Sequence, residues 1–312
     1  MKYAVGVDLG GTTVKIGIFT EDANLISKWE IKTRREENGK YILSDIAESV
    51  LENLESHGIS KENVTGLGMG VPGGVEQDGS VHQCVNLGWG EVKVKEEMEK
   101  LTGLSVYPAN DANIAALGEM WQGGAKGCNN VVMVTLGTGV GGGIIVDGKI
   151  VVGAHGFAGE IGHMKMRYDE TEVCGCGKTG CLEQYTSATG VARMARRILQ
   201  KTEMESVLRD IETVTAKDVF DAAKAGDQLA LQIVDEVCEI LSLGLSYIAC
   251  VSDPETFVIG GGVSKAGTIL TEELQRHYID KVYGELKKTK FALATLGNDA
   301  GIYGGAKLAL GE

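Results

Sequence analysis

Proline is nearly missing, at 3 residues in 312, and no low-complexity stretch or linker-like run breaks the chain. Modules strung on flexible or polyproline tethers are thereby excluded, and continuous folded material is expected. Basic residues are the minority, 30 Lys and Arg against 43 Asp and Glu, and no block of about five or six of them forms anywhere. A surface with a formal charge of −13 repels nucleic acid and anionic membranes, so neither is expected as a partner. Small phosphorylated ligands stay open, because backbone N–H groups hold them whatever the global charge. No apolar run approaches the ~20 residues of a membrane span. Asp8 falls where the apolar core of a secretion signal would continue, so the protein is expected in the cytoplasm, its seven cysteines reduced and available as metal ligands.

Glycine is what the chain has in abundance, 45 residues, gathered at the ends of apolar runs where tight turns approach a ligand. The length suits one large or two medium α/β domains with a sizeable core. Residues 5–18, VGVDLGGTTVKIGI, are echoed by residues 132–145, VMVTLGTGVGGGII. Each reads as a strand, a Gly/Thr turn and a second strand, which predicts two glycine-tipped β-hairpins and two related halves. A third strand is expected at 25–31. Leu43, Ile46, Ala47, Val50, Leu51 and Leu54 recur at helical spacing. Strands at 64–71 and 104–108 and helices at 94–101 and 112–121 complete the first half. The second half is expected to carry helices at 186–200, 216–225 and 228–251, a strand at 256–259, and a helix from Gly301 to Leu310 whose small residues permit close packing.

The turns Gly10-Gly11-Thr12-Thr13 and Gly137-Thr138-Gly139 let N–H groups and hydroxyls converge where a larger side chain would block approach, which suits phosphate oxygens. Singly each is weak, and neither fits the P-loop pattern or a GxGxxG turn entering a helix. Asp8 also has a plainer reading, as a turn-capping carboxylate. His163 with Cys174, Cys176 and Cys181 places three thiols and an imidazole in one glycine-rich stretch, enough to complete a tetrahedral zinc shell. With all four positions filled by protein, that zinc would be structural. Cys84, Cys128, Cys238 and Cys250 lack such spacing and are read as packing residues. Asn110-Asp111 lies between a strand and a helix, where such a pair is most often a cap.

Taken in order, Asp8-Leu9-Gly10-Gly11-Thr12-Thr13-x-Lys15, Leu136-Gly137-Thr138-Gly139 and Ile259-Gly260-Gly261-Gly262 resemble the two phosphate loops and the adenosine motif of the actin-like ATPase and sugar kinase superfamily. Gly156-x-Ala158-Gly159-Glu160-Ile161-Gly162-His163 and Cys174-Gly175-Cys176-Gly177-x-x-Gly180-Cys181-Leu182-Glu183 resemble the two motifs of the ROK family, whose members include sugar kinases and sugar-responsive DNA-binding proteins. The likeness spans the chain. It implies a two-domain actin-like (ribonuclease H-like) α/β ATPase fold with an interdomain cleft: a smaller domain at 1–120, joined by a returning helix at 301–312, and a larger one at 121–300 with the zinc loop.

The resemblance implies ATP-dependent phosphorylation of the 6-hydroxyl of a hexose, glucose first, with mannose, fructose, N-acetylmannosamine and allose as competitors. Asp111 becomes the base. Asp8 helps hold Mg2+, and Gly10, Gly11, Thr12, Thr13, Lys15, Gly137, Thr138, Gly139, Gly260, Gly261 and Gly262 contact ATP. Gly73, Asn86, Asn110, Glu160, His163 and Glu183 join Asp111 around the sugar. Asn86 reads about evenly as a turn residue. Cleft closure is expected, since water must be kept from the phosphoryl group. A homodimer or homotetramer is implied, with no interface legible. A sugar-responsive regulator is the opposing class; its members add an N-terminal DNA-binding module, and here the first hairpin already begins by Asp8.

Overall fold

The computed structural model describes residues 1–76, 78–81 and 84–311; Glu312, the last residue of the expected returning segment, lies outside them. By its internal contacts the chain forms two compact units, Met1–Asn129 with Gly143–Ala158 and Thr295–Glu312, and Asn130–Gly142 with Gly159–Ala294.

The first sheet contains β1 (Tyr3–Leu9), β2 (Thr13–Thr20), β3 (Leu25–Lys32), β4 (Val64–Val71) and β5 (Val106–Asn110) in the order β3-β2-β1-β4-β5. β1, β2 and β3 are antiparallel neighbours, whereas β4 and β5 continue parallel to β1. Helices α1 (Ile42–Ser56), α2 (Val94–Thr102) and α3 (Asp111–Gln122) complete this part of the chain. α1 buries Ile42, Leu43, Ile46, Ala47, Val50 and Leu54, the stripe its periodicity predicts apart from a half-buried Leu51. The run at β1 is apolar rather than alternating because both its faces are covered. Val5, Val7 and Leu9 enter the core with α1, and Ala4 joins Phe19, Ile302 and Ala306 on the other side.

That other side is covered by the C-terminal helix, Ala300–Leu310. Its approach is backbone to backbone: a Cβ on Gly6 would lie 1.8 Å from the Ile302 carbonyl oxygen, and one on Gly68 1.9 Å from that of Gly305. On the helix side a Cβ on Gly305 would lie 2.6 Å from the Gly68 carbonyl oxygen, so glycine is required on both sides of this contact.

The second sheet runs β10-β9-β6-β7-β8, from β6 (Val131–Leu136), β7 (Val140–Val146), β8 (Lys149–Ile150), β9 (Thr256–Gly260) and β10 (Lys290–Leu293). Read from β8, this is the topology of the first sheet, with β6, β9 and β10 parallel as β1, β4 and β5 are. The sequence echo at 5–18 and 132–145 is thus an echo of architecture. Helices α4 (Ala188–Lys201), α5 (Ala216–Lys224), α6 (Gln228–Ser252) and α7 (Thr268–Ile279) follow β8 in the chain, with β9 between α6 and α7. Ser187, Thr215 and Asp227 cap the first three, each side chain accepting from a backbone N–H of the first turn.

Two sequence expectations need correction. The strand expected at 104–108 begins at Val106, because Gly103 ends α2 in the left-handed region (φ 72°) and ladder pairing starts at Val106 opposite Leu67. α7 and β10 had no counterpart in the reading: β10 spans only four residues after a lysine-rich stretch, too short for a period-2 pattern to register. Among the described residues no helix is long and apolar enough to cross a membrane.

Candidate active site

In the first unit, the candidate residues Asp8, Asn110 and Asp111 gather at the C-terminal ends of parallel strands β1 and β5, the edge where open α/β sheets place their ligands. Asp8 is the penultimate residue of β1, opposite Gly70 of β4. A Cβ on Gly70 would lie 3.8 Å from Asp8 Oδ1 and 3.6 Å from the Asp111 Cα, so one glycine separates the two acids. Asn110 ends β5 and is also the N-cap of α3: its Oδ1 accepts from the N–H groups of Ala112 (2.9 Å) and Asn113 (3.2 Å). Its Nδ2 donates to the Gly73 carbonyl at 3.0 Å. One side chain thus caps α3 through its oxygen and reaches the Gly73 backbone through its nitrogen. Asp111 opens the helix, exposed, with Oδ1 accepting from the N–H of Ala112 at 2.8 Å.

Burial, with the charge of Asp111 adding to it, pushes the Asp8 carboxyl up to about 6, while Lys15 pulls the other way. The folded-state value lies above that of an unfolded aspartate, so this group's contribution to stability is fully present below about pH 4 and is lost as pH rises through about 6. Asp8→Asn is expected to melt above the wild type at pH 8, the difference vanishing by about pH 4. Equal melting temperatures at pH 8 would refute the burial account.

The first glycine turn is closed by Gly10 N–H donating to the Thr13 carbonyl (3.1 Å), and Thr33 donates through its hydroxyl to Gly10 O (2.7 Å). Thr12 and Thr13 are exposed. A cavity of about 460 Å³ beside this turn is lined by Gly11, Thr12, Lys32, Arg35, Asn86 and Gly88, which brings Asn86 beside the first glycine turn. Lys15 donates to the Asn298 carbonyl at 3.0 Å.

In the second unit the turn Gly137–Gly139 meets Glu183. A Cβ on Gly139 would stand 2.7 Å from Glu183 Oε2, so the glycine makes room for that carboxylate. Glu183 Oε1 in turn accepts from the Cys174 thiol at 2.9 Å and lies 3.7 Å from His163 Nδ1. Glu160 is exposed and begins the 3-10 turn Ile161–His163. A Cβ on Gly162 would lie 2.1 Å from the Val140 carbonyl oxygen, a backbone contact that fixes where His163 starts.

The donor atoms of His163, Cys174, Cys176 and Cys181 all lie within 4.8 Å of one another. The Cys176 and Cys181 sulfurs are 3.6 Å apart, and Cys174 Sγ is 3.8 Å from His163 Nδ1. A tetrahedral zinc with Zn–S bonds of ~2.3 Å has edges of ~3.8 Å, so the four donors fit that ion. Because His163 turns Nδ1 to the thiols, Nε2 faces away from them.

The Gly260–Gly262 turn follows β9. Gly261 (φ 81°) presses on the backbone of Leu136, while Gly262 opens onto a cavity of about 340 Å³ shared with Ala216, Phe220 and Val263. Sequence reading did not single out this wall, because part of it comes from α5, distant in the chain, and the rest from the 3-10 turn Gly262–Ala266 that the glycines enter.

Two buried anchors also escaped it. Glu119 of α3, fully buried, accepts from the N–H groups of Gly124 (2.7 Å), Thr295 (3.0 Å) and Leu296 (2.9 Å). Glu170 is gripped by Arg197 (2.7 and 3.0 Å), Arg193 (3.2 Å) and the Tyr185 hydroxyl (2.9 Å), which ties the entry of the cysteine loop to α4. The hydrogen bonds from Arg197 hold its carboxyl well below the usual carboxylate range.

The chain is 43% identical to a glucokinase of Halalkalibacterium halodurans, over 98% of this chain and 94% of that one. It is 36% identical to a glucokinase of Thermotoga maritima, over 97% and 96%. Among solved structures it resembles a ROK family glucokinase from Streptomyces griseus in complex with glucose and AMPPNP, with TM-score 0.74, 32% identity and 98% of each chain covered. With the ROK family profile matching residues 4–312 as well, the chain belongs to the ROK family.

Proposed function

We propose that this protein is an ATP-dependent glucokinase, transferring the γ-phosphoryl group of ATP to the 6-hydroxyl of glucose. The observation that carries the reading is the pairing of Asp8 and Asp111 across Gly70, beside an exposed Gly/Thr turn at the end of the parallel strands. Asp111 accepts the proton of the 6-hydroxyl as its oxygen bonds to phosphorus and ADP leaves. An ordinary aspartate suffices, since phosphoryl transfer is largely dissociative and positioning with charge neutralisation does most of the work. Two adjacent carboxylates suit a hard divalent cation, and Asp8 would hold Mg2+ directly or through water. That ion, when bound, neutralises charge on the phosphates.

The backbone of Gly10, Gly11, Gly137 and Gly139 and the hydroxyls of Thr12, Thr13 and Thr138 take the phosphates, with Lys15 contributing charge nearby. The cavity at Gly262 takes the adenosine, which passes over the turn Gly260, Gly261 and Gly262. Gly73, Asn86, Asn110, Glu160, His163 and Glu183 meet the hydroxyls of the sugar, where each unmatched polar group left in a closed site costs ~1–3 kcal/mol. His163, Cys174, Cys176 and Cys181 hold a structural zinc, and His163 Nε2 is left for the sugar or an outer acceptor. Protein purified without chelator is expected to contain one zinc per chain by elemental analysis; a metal-free, fully active protein would refute that assignment.

A coupled assay of ADP release tests the function. Glucose with Mg-ATP is expected to give the highest kcat/KM in a panel with mannose, fructose, N-acetylmannosamine and allose. Another sugar leading the panel would redirect the specificity, and no hexose-dependent ADP release would overturn the kinase reading. A homodimer or homotetramer is proposed as the working state, to be read by light scattering.

A further inference from the structure

Phe157 is a large apolar side chain left 65% exposed in the loop Gly153-Ala154-His155-Gly156-Phe157-Ala158-Gly159. Scattered exposed apolar residues are ordinary, so its placement is what matters. Two backbone features hold the ring where it is. Gly156 (φ 75°) sits so close to β4's continuation that a Cβ there would lie 2.9 Å from the Val75 carbonyl oxygen. The ring's own Cζ and Cε2 lie 3.5 and 3.6 Å from where a Cβ on Gly74 would stand, so the ring occupies the side of that backbone a side chain would fill. Gly73, the next residue, gives its carbonyl to Asn110 Nδ2 at 3.0 Å. Phe157, Gly74, Gly73 and Asn110 thus form one continuous surface at the ends of β4 and β5, ending at Asp111.

This surface holds polar atoms at one end and an aromatic ring, largely uncovered, at the other. A pyranose has the matching pair: a rim of hydroxyls and an apolar face of C–H groups. Sites for small polar ligands combine fixed polar groups with aromatic walls in this way, and the electron-rich face of a ring attracts the slightly positive hydrogens of a C–H face.

We propose that Phe157 is a sugar contact, its open ring packing on the C–H face of the hexose whose hydroxyls Asn110 and Asp111 address. The inference rests on the kinase reading above. The ring makes no bond to a reacting atom, so its contribution is to binding of ground state and transition state alike.

Phe157→Ala is therefore expected to raise KM for glucose about tenfold, the scale of one aromatic contact, with kcat and KM for ATP within about twofold of wild type. Phe157→Tyr, which keeps the ring, is expected to restore the wild-type KM. Because the side chain is exposed, the melting temperature of Phe157→Ala should match the wild type, which separates a lost contact from a lost fold. A glucose KM unmoved by Phe157→Ala in an active enzyme would overturn this proposal alone. A wild-type protein that releases no ADP with any hexose would overturn the kinase reading first, and the proposal with it.

Discussion

Asp111→Ala is expected to lower kcat with glucose by about 10²–10⁴-fold, the range assigned to a positioned general base, while binding of a non-hydrolysable ATP analogue persists. The reason is local. Asp111 is exposed at the first turn of α3, its Oδ1 occupied with the N–H of Ala112, and Asn110 supplies the cap of that helix. Removing the carboxylate therefore takes away the proton acceptor and leaves the helix start in place. Asp111→Asn keeps the shape and the backbone hydrogen bond but not the basicity, and is expected to lose kcat on the same scale. A kcat near wild type for both variants, measured by coupled assay and checked by calorimetric nucleotide binding, would remove Asp111 from the mechanism. Loss of nucleotide binding together with turnover would instead point to a structural role.

Gly304→Val should have the largest effect on stability. A Cβ at Gly304 would lie 1.7 Å from the Ile114 carbonyl oxygen and 2.9 Å from the Gly118 nitrogen. Both obstacles are backbone of α3, which has no rotamer with which to move aside. Overpacking a core typically costs ~1–3 kcal/mol, and here the upper end or more applies because two helices must separate. At this chain length about 1 kcal/mol shifts Tm by roughly 2–4 °C, so a fall of about 6–12 °C is expected by calorimetry. Gly90→Val serves as the control, since a Cβ there meets nothing within 4 Å. A Gly304→Val protein melting with the wild type would show that the C-terminal helix can lift from α3 without cost.

How much of this was legible beforehand depends on the range of the interaction. The hairpin turn at Gly10–Thr13, the stripe of α1 and the four donors His163, Cys174, Cys176 and Cys181 are set by neighbours close in the chain, and their patterns survive in one dimension. Asn110 was legible twice, as a cap and as a site residue, and the structure shows it in the cap while its other amide atom reaches Gly73. Glu119 left no signal: a single acid in an apolar helix is indistinguishable from a solvent-facing one until Thr295 and Leu296 return to it from more than 170 residues away.

Sequence alone determined the alternation of elements, the repetition of one β-hairpin design and the identity of the chemical groups, because propensity, periodicity and ligand spacing are properties of adjacent residues. Only the tertiary structure decided why particular glycines must be glycine, that Asp8 stands beside Asp111, and that Glu183 fills the room left at Gly139. A missing side chain carries no mark of what would have struck it. That information lies in the partner backbone, and folding is what brings the partner near.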